Sequence, residues 1–406
     1  MVSMLADTDA VIVSYRRTPF GRALKGSLAH ERPEDLALTA ISGALADVPG
    51  LDPNQFDDFI LGTAVPEGAQ GDNAARRIAV YGGWDQLPGT TINRFCASSL
   101  EAVIMASRAI RAGDGQAYLV GGMESTSSTP PVPHNVYPAH HEAAIRVQEV
   151  FTSGAPWVDP RELGLVPDVY VPMGVTAEFV AQHTGTTRAE QDDWALHSQQ
   201  RAASAIERGY FVDEISPHLR SDGSIVHADD CPRPLTTLEN LETLAPAFRA
   251  GGSVTAGNAS PLSDGASAAV IMSARAAKEG GLTPLARIIG ATASALSPEI
   301  MGLGPIGATH KLLARLGLAI GDIDVVELNE AFAAQVVPVV RQLGADPERV
   351  NVNGGAIALG HPFGATGIRL AGTLTRLLKS QDKTLGLATL CVGGGQGVAM
   401  VLERLS

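Results

Sequence analysis

Strand-sized apolar runs alternate with helix-like segments in two separate parts of this 406-residue chain, and the stretch between those parts lacks the alternation. In the first part, strand-like and helix-like segments follow one another in this order: 10–13, 34–45, 58–61, 73–81, 97–110 and 117–120. This rhythm predicts an α/β fold. Residues 125–255 instead carry Pro- and His-bearing loops around one helix-like segment, 188–208, with little strand signal before 253–255. We interpret this stretch as an insertion of loops and helices.

The alternation returns after residue 257, and its end repeats the style of the first part. A helix-like segment, a strand-like run and consecutive glycines occur at 365–378, 386–390 and 393–395, as they do at 97–110, 117–120 and 121–122. The echo suggests two similar halves, but a strand followed by glycines is common, so an unduplicated chain stays open. The predicted boundaries are 1–126 plus 256–282 for the first half, 127–255 for the insertion and 283–406 for the second half.

Charge and cysteine content exclude several classes of function. Lys and Arg number 30 against 43 Asp and Glu, and the net charge of -13 provides no positive field for nonspecific nucleic-acid binding. The three cysteines, Cys96, Cys231 and Cys391, are too scattered for a disulfide framework or a four-ligand zinc site. No run approaches the ~20 apolar residues of a membrane span, and the first residues lack a basic secretion signal. We expect no membrane association and a cytoplasmic location.

Several common site motifs are incomplete or absent. The GGGQG run at 393–397 lacks the GxGxxG spacing, and the apolar run that follows it predicts a strand rather than the helix of a dinucleotide site. HEAAI at 141–145 lacks the second histidine of HExxH, so we expect no metal. Neither GxxxxGK[ST] nor GxSxG occurs, which removes the main support for phosphoryl transfer and serine hydrolysis.

Cys96 precedes a long apolar helix-like segment in the string NRFCASSLEAV at residues 93–103. Partial positive charge and free N–H groups at a helix N-terminus lower the pKa of a thiol and can receive an oxyanion. We therefore take Cys96 as a candidate nucleophile with thiolate character. The alternative is a small buried apolar residue, which is the usual role of a free cysteine.

A histidine and another cysteine lie in glycine-dense loops near the end of the chain. In GGAIALGHPFGATG at 354–367, glycine and proline hold the imidazole of His361 in a rigid loop beside a helix start. His361 could accept a thiol proton there, or be an incidental surface residue. Cys391 ends a strand-like run before the glycines, and one helix and one strand can return it to the sheet edge of His361. The alternative interpretation is that Cys391 is only a buried cysteine at the end of a strand.

Asn329 lies in NEAFAAQ at 329–335, where a strand passes into a helix, so it could fix a water molecule or cap that helix. The strings NRFC, NEAF, GHPFGATG and CVGGGQG occur in this order along the chain. Together they resemble the signature strings of the thiolase family. Further matches at 17–21, 121–125, 173–178, 254–260 and 264–265 extend the resemblance over nearly the whole chain.

The resemblance implies the α/β thiolase fold, with two duplicated βαβαβαββ halves in a five-layer α-β-α-β-α arrangement and an inserted loop domain. Each half would contain a mixed five-stranded sheet. The resemblance also implies that Cys96 attacks the 3-keto carbon of a 3-ketoacyl-CoA after giving its proton to His361. Cys391 would protonate the acetyl-CoA enolate, while His361 and a water held by Asn329 would bind the enolate oxygen. The N–H groups of Cys96 and Gly393 would form a second oxyanion hole.

The same resemblance implies coenzyme A as a substrate, with no permanently bound cofactor. The substrates and products would be 3-ketoacyl-CoA, CoA, acetyl-CoA and a shortened acyl-CoA, and the assembly a homodimer or homotetramer. Two thiols suit this chemistry, because one is acylated while the other exchanges a proton with carbon. Arg or Lys residues of the insertion are candidates for the CoA phosphates, and Cys231 is taken as incidental. The residues expected to bind CoA or line the pocket are Ser260, Ala256, Met173, Met301, Ala331 and Phe332.

Departures from family patterns bear on the substrate. Pro172 stands where acetoacetyl-CoA-specific biosynthetic members commonly carry His, and NRFC resembles degradative members more than the biosynthetic NKVC. Ser99 replaces a more usual glycine, which we expect to narrow the acyl pocket. NEAF differs from the HDCF of sterol-carrier-type thiolases. We expect thiolytic cleavage in fatty acid β-oxidation.

Three alternatives to this degradative role stay open. The first is a biosynthetic acetoacetyl-CoA thiolase. The second is a ketoacyl synthase of the same fold, which would lack the thiol at Cys391. The third is a noncatalytic acyl-CoA-binding protein, although degenerate relatives usually lose a catalytic position and none is missing here. Chain length, branching and ring preference have no readable code in the sequence.

Overall fold

The computed structural model describes residues 4–129 and 137–405, so the predicted Pro-rich loop at 130–134 lies outside the described residues. The first half begins with a strand and continues with alternating helices and strands, as the sequence predicts. Its elements up to residue 129 are β1 (Ala10–Arg17), β2 (Gly21–Arg22), α1 (Pro33–Ala46), β3 (Asp58–Gly62), α2 (Ala74–Tyr81), β4 (Gly89–Ile92), α3 (Ser98–Ala112) and β5 (Ala117–Ser125).

The insertion is mostly helical, and the strands of the sheet resume after it. The elements of the insertion are α4 (Ala139–Ser153), α5 (Met173–Thr184), α6 (Arg188–Glu207), β6 (His218–Leu219), β7 (Ile225–Val226) and α7 (Leu238–Glu242). The remaining elements are β8 (Ser263–Ser273), α8 (Ala274–Glu279), β9 (Ala286–Ala295), α9 (Gly304–Leu316), β10 (Val325–Leu328), α10 (Ala333–Leu343), α11 (Ala356–Leu359), α12 (Phe363–Ser380), β11 (Leu385–Val392) and β12 (Gln396–Arg404).

The two halves repeat one strand order. In the first half the order is β4-β3-β5-β8-β1, with β3 parallel to both β4 and β5 and the remaining pairs antiparallel. In the second half β10-β11-β12-β9 has the same directions, and a parallel bridge between Val326 and Val350 takes the place of β4. This correspondence supports the duplication that the sequence pattern left open.

The two sheets meet along one edge. β1 pairs with β9 only through Val11 with Arg287 and Ile12 with Ala286, which joins the strands into one ten-stranded sheet. The expected five-stranded sheet of the second half is therefore four strands and a bridge, because the chain near Val350 pairs at a single position. The expected α/β thiolase-type layering is otherwise confirmed by the way the helices pack on these sheets.

Three buried apolar clusters define five layers. α1 and α2 cover the outer face of the first sheet, and α9 and α10, with α5 of the insertion, cover the outer face of the second. α3 and α12 lie between the sheets, where aliphatic side chains of both helices and both sheets form one cluster. The helices approach most closely at their first turns, since a Cβ on Gly367 would overlap the backbone of Leu100. The N-termini of α3 and α12 therefore meet in the middle layer.

Buried polar contacts fasten the insertion to the halves. The guanidinium of Arg17 pairs with Asp229 at 2.7 Å and with Glu214 at 3.3 Å, and all three side chains are buried. Removing one member of such a buried set leaves an uncompensated charge, so the set fixes how the insertion docks. The strand expected at 253–255 is wrong: the N–H groups of Ser253 and Val254 donate to the carboxylate of Glu178 instead of to a neighbouring strand.

The described helices include none that is both long and apolar enough to cross a membrane.

After the insertion the chain returns to the first sheet at β8, which pairs with β1 and β5. The predicted domain boundaries stay a prediction, although the return of the chain at Ser263 lies close to the predicted end of the insertion.

Candidate active site

Cys96 lies in the turn that leads from β4 into α3. Phe95, just before it, has a φ of 44°, in the left-handed region that residues other than glycine rarely adopt. The N–H of Phe95 donates to Asn93 Oδ1 at 2.6 Å, and the hydroxyl of Ser98 donates to the carbonyl of Phe95 at 2.6 Å. These bonds hold the turn in its strained shape and present Cys96 half-buried, whereas the other two cysteines are buried.

Burial dominates the acidity of this thiol. It raises the pKa of Cys96 to about 12, and the backbone N–H groups of Gly393 and of Cys96 itself lower that pKa only in part. The expectation that the helix N-terminus makes Cys96 a thiolate is therefore wrong: α3 begins at Ser98, and desolvation outweighs its N-terminal charge. Cys96 therefore rests as a thiol, and it would need a base to act as a nucleophile. The two N–H groups at Sγ are also the pair expected to receive an oxyanion.

His361 is held by hydrogen bonds on its backbone and on its ring. Gly360, with a φ of 102°, turns the chain into the site, and the N–H of His361 donates to Ser263 Oγ at 3.0 Å. Nδ1 lies 2.7 Å from Thr366 Oγ1, in the first turn of α12. The ring packs edge-on against Phe363, with centroids 5.0 Å apart. The imidazole is thus fixed in one orientation.

The contacts of Thr366 assign the tautomer of His361. The single hydroxyl proton of Thr366 is donated to the carbonyl of Pro362 at 2.9 Å, so Oγ1 can only accept from the ring. Nδ1 of His361 therefore carries the proton, and Nε2 presents a lone pair. Burial, followed by the nearby guanidinium of Arg369, lowers the pKa of His361 to about 3. The ring is a neutral base with its lone pair on Nε2.

Asn329 follows β10 and reaches the same nitrogen. Its Nδ2 donates to His361 Nε2 at 3.2 Å, while its backbone N–H donates to the carbonyl of Thr389 on β11. Of the two alternatives for Asn329, helix capping is wrong, because α10 begins at Ala333 with Phe332 at its N-cap. The amide oxygen of Asn329 is buried and makes no hydrogen bond within the described chain. An acceptor in this state can hold a water molecule.

Cys391 lies one residue before the end of β11, in apolar surroundings. β10 and β11 are parallel, so Asn329 and Cys391 emerge at the same carboxyl edge of the sheet. Burial raises the pKa of Cys391 strongly, and ionisation of Cys96 would raise that pKa further, because the two thiols lie near each other. Both cysteines are thus protonated at rest, one half-buried and one fully buried.

Most of the residues predicted to bind CoA or line the pocket surround Cys391. They share one apolar cluster with it, and the members predicted from the sequence are Met173, Met301, Ala331 and Phe332. The N–H and the hydroxyl of Ser260 both donate to the carbonyl of Ala331 at 3.0 Å. Ala256 is exposed and is not part of this cluster.

Family models match the chain on both sides of residue 280. The model of the thiolase N-terminal domain matches residues 10–275, and that of the thiolase C-terminal domain matches residues 282–404.

The chain belongs to the thiolase family.

Full-length relatives agree with this membership. The chain is 43% identical over 412 residues to a 3-ketoacyl-CoA thiolase of Saccharophagus degradans, covering 99% of this chain and 100% of the relative. It is 44% identical over 403 residues to an acetyl-CoA acetyltransferase of Escherichia coli, covering 98% and 100%. The human mitochondrial 3-ketoacyl-CoA thiolase in complex with CoA superimposes with a TM-score of 0.86 at 36% identity, covering 100% of both chains. The predicted acyltransferase class is confirmed.

Two buried carboxylates that sequence reasoning left without a role hold the loops of this thiolase site. Glu330, next to Asn329, accepts from Trp194 and Ser198 of the insertion at 3.0 and 2.6 Å. It also accepts from Asn351 at 2.8 Å and from the N–H of Ile357, in α11 ahead of His361, at 3.2 Å. Its signal in the sequence is a charged residue directly after Asn329, just before the apolar start of α10.

Glu124, at the end of β5, is the second such carboxylate. It accepts from the N–H groups of Ala64, Val65 and Gly364 at 2.8, 3.2 and 2.9 Å, and from Gln70 Nε2 at 2.8 Å. Because Gly364 lies in the first turn of α12, this carboxylate ties the loop after β3 to the helix that follows His361. Each half of the molecule is thereby joined to the other at the site.

Two other expectations about site residues change. The hydroxyl of Ser99 is buried and accepts from the N–H of Ile368, so it packs α3 against α12 rather than narrowing an acyl pocket. Cys231, taken as incidental, is buried against Gly360 and shares a hydrogen bond with Ser263, the residue that binds the backbone of His361. Cys231 therefore packs against the loop that carries His361.

Proposed function

We propose that this thiolase cleaves 3-ketoacyl-CoA with coenzyme A, through an acyl group carried on Cys96. The observation that carries the proposal is that a neutral histidine, an amide and two thiols lie together where the carboxyl ends of β10 and β11 meet the turn before α3. The side-chain amide of Asn329 donates to His361 Nε2. The N–H of Gly393, two residues after Cys391, donates to Cys96 Sγ. Each of these groups has a step to perform.

Acylation begins with a proton transfer. Nε2 of His361 gives up its hydrogen bond from Asn329 Nδ2 and takes the thiol proton of Cys96 as Sγ bonds to the 3-keto carbon, and the oxygen becomes an oxyanion. The N–H groups of Cys96 and Gly393 stabilise that oxyanion, since they already point at Sγ. Because the pKa of Cys96 is raised and the pKa of His361 is lowered, both side chains are neutral at rest. The site therefore buries no charge on this pair until the 3-keto oxygen of the substrate can take the negative charge.

Cleavage then places charge on the other half of the substrate. The C2–C3 bond breaks as the oxyanion collapses to the acyl-thioester, and its electron pair passes into the acetyl-CoA enolate. The protonated His361 and a water held by Asn329 Oδ1 stabilise the enolate oxygen. Cys391 gives its proton to C2, which completes acetyl-CoA and leaves the thiolate of Cys391.

Transfer to coenzyme A restores both thiols. The thiolate of Cys391 takes the proton of the incoming CoA thiol, whose sulfur attacks the acyl-thioester. Collapse of the tetrahedral species releases the shortened acyl-CoA, and the sulfur of Cys96 regains its proton from His361. The apolar cluster around Cys391, with Ser260 at its edge, supports placing the CoA-bearing part of the substrate on this side.

The degradative direction and the β-oxidation role are part of the proposal. Pro172 and the string NRFC support them, and the names of full-length relatives include 3-ketoacyl-CoA thiolase. The second candidate is acetoacetyl-CoA synthesis, which the relative named acetyl-CoA acetyltransferase favours. A cytoplasmic location and a homodimer or homotetramer remain proposals as well. Cell fractionation and sedimentation of the purified protein test them.

The testing experiment is CoA-dependent loss of 3-ketoacyl-CoA over a panel from acetoacetyl-CoA to long and ring-bearing chains. The Cys96→Ala protein is the control for background chemistry. Activity that extends beyond four carbons and disappears in the control supports the degradative role. Activity on acetoacetyl-CoA alone supports the biosynthetic candidate, and a wild-type protein without activity that still binds CoA contradicts both.

A further inference from the structure

Glu327 and Arg369 form a fully buried charged pair near the histidine of the candidate site. Glu327 belongs to β10 and Arg369 to α12, and Arg369 Nη1 donates to Glu327 Oε2 at 3.0 Å. Glutamate and arginine are almost never fully buried without a partner, and burying both costs free energy that their attraction does not always offset. The proposed reaction assigns no step to either residue. The burial of the pair therefore calls for another explanation.

The pair joins the two elements that hold the ring of His361. Asn329, two residues after Glu327, donates its Nδ2 to Nε2 of this ring. Thr366, one helical turn before Arg369, accepts from Nδ1. Arg369 also lies close enough to the ring for its charge, after burial, to lower the pKa of His361. Because no other side-chain hydrogen bond connects β10 with α12 among the described residues, the bond between Glu327 and Arg369 is the polar contact that sets the spacing of the groups on either side of the ring.

The alternation of side chains along β10 directs Glu327 towards α12. Val325, two residues before Glu327, belongs to the apolar cluster between the two sheets. Val326 and Leu328 belong to the cluster on the outer face of the second sheet. Since successive side chains of a strand point to opposite faces, Glu327 faces the middle layer, and Asn329 follows on the same side. The residue that pairs with the helix and the residue that binds the histidine therefore share one face of the strand.

The pair can keep its hydrogen bond whether or not Glu327 is ionised. Burial raises the pKa of Glu327 to about 8, even though the guanidinium of Arg369 opposes this rise. Oε2 accepts from the guanidinium as part of a carboxylate, and it can also accept as the carbonyl oxygen of the protonated acid. Glu327 Oε1 and Arg369 Nε and Nη2 make no hydrogen bond within the described chain. The polar anchorage of both side chains therefore depends on this one bond.

We infer that Glu327 and Arg369 are positioning residues for the base of the proposed reaction, an inference that rests on the proposed thiolase function. Their hydrogen bond keeps β10 and α12 at the spacing at which both ring nitrogens of His361 are held, so that Nε2 can reach the thiol of Cys96. Both residues act through the histidine, and neither belongs to the apolar cluster around Cys391. Loss of the bond should therefore slow the chemistry and leave the binding of CoA unchanged.

The test removes the hydrogen bond without leaving an unpaired buried charge, through the double change Glu327→Leu with Arg369→Met. Apolar side chains of similar volume in place of a buried pair often leave stability unchanged or raise it. We expect kcat for the best substrate of the 3-ketoacyl-CoA panel to fall by about a hundredfold, the cost of misplacing a reacting group by ~1 Å. The urea unfolding midpoint and the Kd for CoA, measured by calorimetry, should stay close to wild type. Glu327→Gln keeps an oxygen that accepts from Arg369 and should keep most of the rate.

The matched control is Arg287→Met with Glu403→Leu, which removes another buried pair of the same residue types. Arg287 and Glu403 are cross-strand partners on β9 and β12, with Nη2 and Oε2 2.6 Å apart. Glu403 also pairs with Leu385, at the end of β11 opposite to Cys391, so the control lies away from the site. It should leave kcat close to wild type.

Contrary outcomes separate this inference from the function on which it rests. If the double variant folds and is no slower than the wild type or the control, the inference is wrong and the thiolase function stands. A Glu327→Gln protein as slow as the double variant also overturns it, because the accepting oxygen would then not matter. If the double variant unfolds, Arg369→Met alone decides, since burial keeps the remaining Glu327 carboxyl protonated and uncharged. A wild type that binds CoA but cleaves no substrate of the panel overturns the proposed function, and the inference with it.

Discussion

The two halves place the same structural positions at the site and use them differently. The last β3–β5 pair is Gly62 with Gly122, and the last β10–β11 pair is Leu328 with Thr389. Two residues beyond these partners the first half has Glu124 and the second half has Cys391. Glu124 accepts four hydrogen bonds that hold loops together, whereas Cys391 ends among apolar side chains with its thiol proton available.

This difference shows that equivalent positions in the two halves of a duplicated fold can have different roles at one site. The first half carries Cys96, the proposed nucleophile, and uses its strand end to fix the loops around it. The second half carries His361, Asn329 and Cys391, to which the proposed mechanism assigns the movement of protons and the stabilisation of negative charge. Both strand ends are buried, so burial alone does not set the role. The partners of each buried group set it instead: the carboxylate is saturated with donors, and the thiol is surrounded by carbon.

The largest effect is expected from Cys391→Ala. Without a proton for C2 the enolate cannot leave, so thiolysis should fall by about a thousandfold, within the range for a general acid. Cys96 should still react with iodoacetamide, because its own surroundings stay intact. Cys231→Ala, the same change at a buried cysteine that contacts the histidine loop, should lower activity far less, by about tenfold at most, because it removes a packing contact and no proton donor. Full thiolysis by Cys391→Ala would contradict the assignment and favour a ketoacyl-synthase type of chemistry.

The counterpart change, Glu124→Ala, should act on stability. It leaves the N–H groups of Ala64, Val65 and Gly364 without their acceptor, while the amide of Gln70 still donates to the carbonyl of Val65. At ~1 kcal/mol or more for each unsatisfied buried group, the free energy of unfolding should fall by about 3 kcal/mol. Urea unfolding of Glu124→Ala and Cys391→Ala measures the contrast. If Cys391→Ala is the more destabilised of the two, the proposed division between frame and chemistry is wrong.

The sequence pointed to the residues proposed for the chemistry more readily than to the buried carboxylates that hold their loops in place. Cys96, His361, Asn329 and Cys391 each lie in strings whose glycines, prolines and polar residues interrupt apolar periodicity. The alternation of strands and helices predicted an α/β fold, and the family resemblance implied the layers. The acidity of Cys96 was not predictable, because it depends on the desolvation that packing imposes. Glu124 and Glu330 were missed for a related reason: their hydrogen-bond partners lie far away in sequence.

A smaller effect is expected at Thr366, which orients the histidine through its hydroxyl. Thr366→Val removes the acceptor of Nδ1–H, so the imidazole loses its fixed tautomer and kcat should fall by about tenfold, as one lost hydrogen bond to a developing charge implies. Thr366→Ser keeps the hydroxyl and should restore most of the rate. Steady-state kinetics on one substrate measures both. A serine variant as slow as the valine variant would assign Thr366 to packing alone.

The smallest expected effect is an absence of pH dependence from His361. Because burial and then Arg369 lower the pKa of His361 to about 3, the neutral base persists above that pH and is lost only as the pH falls through about 3. A histidine with an ordinary pKa of ~6.5 would instead lose about thirtyfold of its neutral form between pH 8 and pH 5. We therefore expect kcat/KM to show no histidine-type inflection over this interval, with circular dichroism confirming that the protein stays folded. An acid limb with a midpoint between pH 6 and 7 in folded protein would mean that His361 titrates like an ordinary histidine, so that burial and Arg369 do not keep it neutral at acidic pH.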